Sequence, residues 1–210
     1  MTGVIAAAIL IVVYILFLIW YYWFPKPLTK EEVERYVSIM AGRSGGDNKM
    51  SSVLRKFADE DDGKQFFMVS MEKYYDKPQY KDGDHGITSE GANKRYAMNT
   101  MRLMLKRAGH PYGIFIPLIN LSNINRQDDS VWDNVSLVRY RSRRDFLNMV
   151  TSPQWHSGYG DKVAALRENP NMPSKGLLAL PIMPILVLTI FLFIGFMIML
   201  CVSITFHFNI

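Results

Sequence analysis

Cysteine is nearly missing from this chain. The single one, Cys201, lies inside an uncharged run, which excludes a disulfide framework and a thiol-based metal cluster. A reducing compartment suits that composition. Charge is missing from two whole stretches, since residues 3–24 and 176–206 carry no Asp, Glu, Lys or Arg. Each exceeds the roughly 20 apolar residues that cross a hydrocarbon core as a helix, so each is expected to span a membrane. Nothing basic precedes the first run, and it ends in Trp20-Tyr21-Tyr22-Trp23-Phe24 rather than in small residues. That is unlike a cleaved signal peptide. Trp20, Tyr21, Tyr22 and Trp23, followed by Lys26, are expected at the membrane interface, where amphipathic rings settle among lipid headgroups.

Recognisable reaction signatures are also lacking. The run Gly42-Arg-Ser-Gly-Gly46 has neither the Lys-Ser/Thr ending of a phosphate loop nor a strand before it, and reads as a linker. Asp59-Glu-Asp-Asp62 reads as a solvated acidic turn. Asp82-Gly-Asp-His85 fits neither an EF-hand nor a zinc spacing. No catalytic residue, metal site or cofactor is therefore expected. The net charge is +5, from 24 Lys and Arg against 19 Asp and Glu, but the signs are interspersed. Strand alternation also breaks up Arg139, Arg141, Arg143 and Arg144, so nucleic acid is not an expected partner. Membrane lipid is one, with anionic headgroups drawn to basic residues near the spans.

Lys26, Lys30 and Arg35 follow the first run, and Lys162, Arg167 and Lys175 precede the second. The positive-inside rule then places the middle in the cytoplasm and both termini on the opposite side, in a membrane of the bacterial inner type. The second helix is expected from near Pro181 to around Thr205, with His207 at the far interface.

The middle alternates helical and strand patterns. Thr29-Lys-Glu-Glu32 is a capping box, opening a helix with Val33, Tyr36, Val37 and Met40 on one face. A second helix over 51–58 carries Val53, Leu54 and Phe57. Residues 65–75 alternate as a strand. Residues 89–108 form the longest helix, with an apolar stripe of Ala97, Met101, Met104 or Leu105, and Ala108, closed by Gly109. Residues 112–121 read as an edge strand, because Pro117 cannot donate to a ladder. A polar connector over 120–129 leads to a strand over 132–141, with Val135 and Leu137 on one face and Val138 and Tyr140 on the other. Ser142-Arg-Arg-Asp145 starts a helix over 143–150 that buries Phe146, Leu147 and Val150. Trp155, Val163 and Leu166 continue the apolar side past Pro153.

This order is the β-α-β-β-α of a ferredoxin-like α+β unit, with a fourth strand short or absent. The expected organisation is a transmembrane helix (3–24), a helical linker region (25–63), a ferredoxin-like α+β domain (64–175) and a transmembrane helix (178–206).

Asp61-Asp62-Gly63 with Phe66-Phe67-Met68-Val69, then Trp132 and Leu137-Val138-Arg139-Tyr140-Arg141-Ser142-Arg143-Arg144-Asp145-Phe146-Leu147, resemble an uncharacterised dimeric α+β barrel family. EthD-like proteins and small cofactor-free monooxygenases are relatives of that family. The resemblance covers roughly residues 50–168. It implies a sheet whose open face meets a second copy to form a homodimer around a small-molecule cavity. Two flanking apolar helices depart from the soluble family pattern.

Two functions follow. One is a non-catalytic membrane accessory subunit whose cytoplasmic domain docks or dimerises among other integral-membrane proteins. The other is a membrane-tethered small-molecule enzyme or sensor, for which His110, Tyr112, Asn120, Arg139 and Tyr140 are the candidate ligand-binding residues.

Overall fold

The computed structural model describes residues 2–23, 25–43, 48–121 and 131–208. Residues 44–46 of the glycine run, the connector over 122–129 and the side chain of His207 lie outside them. The chain divides into two units, Met1–Trp23 with Leu177–Ile210, and Phe24–Gly176.

The first unit pairs helix α1 (Thr2–Tyr22) with helix α7 (Ile182–Phe208). Both are long and apolar enough to span a membrane. Proline is tolerated in the first turn of α7 because those N–H groups have no helical partner anyway. The carbonyl of Pro184 accepts a hydrogen bond from Tyr14 Oη at 3.2 Å. A Cβ on Gly195 would stand 3.5 Å from Leu10 Cδ1, so the two helices meet closely there.

The second unit is α+β. It runs α2 (Lys30–Arg43), α3 (Asn48–Asp59), β1 (Phe66–Tyr74), α4 (Ser89–Leu105), β2 (His110–Phe115), β3 (Asn134–Tyr140), α5 (Arg143–Val150), α6 (Pro153–Ala165), β4 (Leu166–Glu168) and β5 (Asn171–Ser174). The sheet order is β2-β3-β1-β4, with β5 also on β1, and every described pair is antiparallel. Side chains alternate across a strand, so β1 sends Phe66, Met68, Ser70 and Glu72 to the helices and Phe67, Val69 and Met71 to the outer face. Val135 and Leu137 register with Met71 and Val69 on the outer face, and Val138 and Tyr140 with Met68 and Phe66 on the inner.

The inner face and the helices share one core. It holds Val33, Tyr36 and Val37 of α2 with Phe66, Met68, Met104, Tyr140, Leu147, Met149 and Trp155. Residues 25–63 thus pack into the same unit as the sheet. Complete burial of a side chain such as Leu147 stabilises by roughly 1.5–3 kcal/mol.

Local caps form where the residues ask for them. Thr29 N donates to Glu32 Oε2 at 2.8 Å and Glu32 N to Thr29 Oγ1 at 3.3 Å. Ser142 caps α5, accepting from Asp145 N at 3.1 Å. Arg43 donates to the carbonyls of Val150 at 2.9 Å and Thr151 at 2.7 Å, satisfying the far end of α5.

Four expectations need correction. The strand expected over 112–121 starts at His110 and stops at Phe115, so Pro117 lies beyond it. Phe115 already registers with Val135, one residue from the start of β3, and among the described residues the ladder goes no further. The stripe of α4 faces inward at Met101, Met104 and Ala108 as expected, but Ala97 and Leu105 are exposed, and Ser89, Ala92 and Asn93 are buried instead. The left-handed residue after α4 is Ala108 at φ 56°, not Gly109. Gly109 is needed for space instead, since a Cβ there would fall 2.6 Å from Met104 Cγ. Val53 and Val163 are exposed, because Leu54 and Phe57, and Trp155, Ala164 and Ala165, take the inward positions.

Candidate functional site

Of the five candidate residues, the sheet brings His110 and Arg139 together and sets Tyr140 on the opposite face. Arg139 is 2% exposed, donating through Nε to Gln65 Oε1 at 2.8 Å and through Nη1 to the Ala108 carbonyl at 2.7 Å. It thereby holds the left-handed turn that closes α4. His110 registers with Arg139 across the β2–β3 ladder, and its Nδ1 lies 2.8 Å from the carbonyl of Pro111. Burial pushes this imidazole below its ordinary value, and the Arg139 guanidinium adds to the effect. Tyr112 sets its ring edge-on to Phe67 of the outer face, with centroids 5.4 Å apart. Asn120 lies in the irregular stretch past β2. Tyr140 is on the opposite, inner face, stacked on Phe66 at 5.2 Å, and burial raises its phenol.

A different set meets inside the fold. Glu72, 8% exposed, comes from β1 between Ser70 and Tyr74 on the inner face. Its Oε2 accepts from Asn93 Nδ2 at 2.9 Å, from Asn134 Nδ2 at 2.9 Å and from Tyr74 Oη at 3.4 Å. Three strands and helices are involved: α4 supplies Asn93 and β3 supplies Asn134, which registers directly with Glu72. Burying a carboxylate is costly unless donors surround it, and these donors converge on one oxygen. From α6, Lys162 places Nζ 5.2 Å from the centroid of Tyr96. Burial pushes this ammonium below its ordinary value, while Tyr159 and Glu72 pull the other way.

These groups border a cavity of about 150 Å³ between the sheet and α4, shared with Met68, Met101, Met104 and Val138. The side-chain oxygens of Asn93 and Asn134 are buried without a hydrogen-bond partner. The cavity thus has a charged, hydrogen-bonded floor, an apolar wall and two idle acceptors. Among the described residues no three His, Cys, Asp or Glu side chains gather as metal ligands would. Asp61 instead builds its turn, accepting from Leu28 N at 3.0 Å and Gly63 N at 3.1 Å.

Comparison with solved structures adds a fold. The chain is similar to the RPA0582 protein of Rhodopseudomonas palustris, a structural-genomics target of unknown function. The match has a TM-score of 0.54 and 20% identity, covering 61% of this chain and 94% of that one. A methylated RPA0582 protein matches with a TM-score of 0.55 and 21% identity, over 60% of this chain and 91% of that one. No protein-family model and no curated protein matches the chain. At that identity the likeness shows the fold alone.

Sequence reasoning missed the Glu72 cluster. Its signal was there: Glu72 falls on the same parity as Phe66 and Met68, where an inward-facing strand should be apolar. Asn93 is followed directly by Lys94 and Arg95, so its local sequence carries no sign of burial.

The outer sheet face is the second feature. Val69, Met71, Val135 and Leu137 are half-buried on it, while Phe115 is 57% and Met172 43% exposed. A Cβ on Gly113 would fall 2.5 Å from the Phe115 ring, so this glycine lets the ring lie back along the strand.

Proposed function

We propose that this chain is a non-catalytic membrane accessory subunit whose α+β domain docks through the outer sheet face. The observation that carries this reading is that face, with Val69, Met71, Val135, Leu137, Phe115 and Met172 forming one apolar surface. Contiguous apolar surface of this kind marks interaction sites on soluble domains. The occupant is a second copy of the chain, face to face, as the dimeric α+β barrel resemblance implies. The pair is held within a larger set of integral-membrane proteins. In this reading the unit is ferredoxin-like, with β4 and β5 together taking the place of the fourth strand. The apolar helices anchor it in lipid with the α+β unit in the cytoplasm.

Native mass measurement of the full chain in mild detergent tests this. A dimer or a stoichiometric complex is expected, falling to the monomer in Leu137→Asp. A wild-type chain that runs as a monomer at all concentrations overturns it.

The cavity supports a second reading, a membrane-tethered enzyme or sensor for a small molecule. Its support is the pair of idle amide oxygens beside a buried Glu72.

A further inference from the structure

The geometry points to a ligand class for the Glu72 cavity: we propose that it binds a neutral, single-ring-sized molecule with an apolar body and at least one N–H or O–H donor. This rests on the small-molecule reading of the cavity, not on the docking reading.

The polar end is fixed by hydrogen-bond accounting. The amide nitrogens of Asn93 and Asn134 are both committed to Glu72 Oε2 at 2.9 Å. Turning either amide over would set its oxygen against a carboxylate oxygen, so the orientation of each is determined. Their oxygens are left buried and unpartnered. A buried acceptor without a donor is unfavourable. Among the described residues no donor reaches these two atoms, not even the Thr100 hydroxyl that lines the same cavity, and the Glu72 carboxylate is a third acceptor at the same end. The missing partner is therefore a donor.

Charge narrows the class further. Glu72 and Lys162 bring opposite charges to the one cavity. A neutral ligand leaves that balance intact, whereas an ion would add an uncompensated charge to a desolvated site.

The remaining wall sets the body. Met68, Met101, Met104 and Val138 line it, and methionine side chains adapt to the outline of an apolar guest. The volume of about 150 Å³ is comparable to that of an engineered protein cavity that holds benzene. Ala97 lines the same cavity from an exposed position on α4, so the mouth opens there.

The test uses the full chain in detergent, labelled with ¹³C at the methionine methyls. Met68, Met101 and Met104 report on the cavity, and the methionines of α7 report on partition into the micelle. Phenol and toluene, similar in size, differ in the donor. Phenol is expected to shift the three cavity methyls saturably, at a free concentration at least tenfold below toluene. Asn93→Leu should abolish that preference. Ala97→Phe, at the exposed mouth, should block both probes while leaving the other methionine signals in place. This keeps the test decisive if Asn93→Leu does not fold. Toluene binding as tightly as phenol overturns the ligand class but leaves a ligand cavity. Absence of saturable shifts with either probe overturns the cavity reading as well. Retention of the phenol preference in Asn93→Leu overturns the assignment of the donor end.

Discussion

The side-chain nitrogen of Asn93 lies 2.9 Å from Glu72 Oε2, so one buried carboxylate ties helix α4 to the central strand. Asn134 reaches the same oxygen from β3. Removing the acceptor strands two amide nitrogens. Glu72→Ala should lower the unfolding free energy of the α+β unit by about 2–4 kcal/mol, read by denaturant unfolding in detergent. Glu72→Gln keeps an acceptor in place and should cost less than half as much. Equal losses would refute the role given to the hydrogen bonds.

Adjacent positions after α4 should respond with opposite signs. Ala108 holds a left-handed φ of 56°, so Ala108→Gly relieves strain and should stabilise by roughly 0.5–1 kcal/mol. Gly109→Ala should destabilise, because its Cβ would fall 2.6 Å from Met104 Cγ and 3.2 Å from the Arg139 carbonyl. Melting temperatures of the two variants, above and below the parent, check both.

Ser142 is fully buried, accepts from Asp145 N at 3.1 Å and donates to Asp145 Oδ2 at 2.8 Å. Arg141 Nε donates to that same oxygen at 2.7 Å. Ser142→Ala removes the α5 cap and should cost about 1–2 kcal/mol, seen as a lower unfolding midpoint with an unchanged slope.

His110 gives a pH signature. Its folded value is depressed by burial, so below about 6.5 the unfolded chain takes up more protons than the folded one. Stability should therefore rise with pH up to about that value, and fall as acid forces the buried ring to charge. His110→Gln should flatten this part of the profile. A variant as pH-sensitive as the parent between pH 5 and 7 would refute it.

Where a pattern depends on neighbours in sequence, the residues announced their structure. Thr29 and Glu32, Ser142 and Asp145, and the alternation of Phe66 to Tyr74 all form what their spacing implies. The failures lie where a partner far along the chain decides. Ile116, Leu118 and Ile119 read as strand, but β3 starts at Asn134 and among the described residues no strand pairs with them. The face of α4 was placed by its apolar stripe, yet a polar cluster buries Asn93. Lys162 looked like a charge flanking the second apolar run, whereas its ammonium sits by Tyr96 in the fold. The candidate site was illegible for the same reason, because Glu72, Asn93, Asn134 and Lys162 are brought together only by the topology.

Both sheet margins carry proline. Pro111 lies at the irregularity where β2 shifts register against β3, and Pro173 stands opposite Met68 in β5, beside a β4 of three residues. Proline offers no N–H, and short margins give an incoming strand little to grip. The sheet is therefore poorly suited to templating its own lateral growth into fibrils. Its apolar surface can be met broadside, which favours a closed pair over an open-ended polymer.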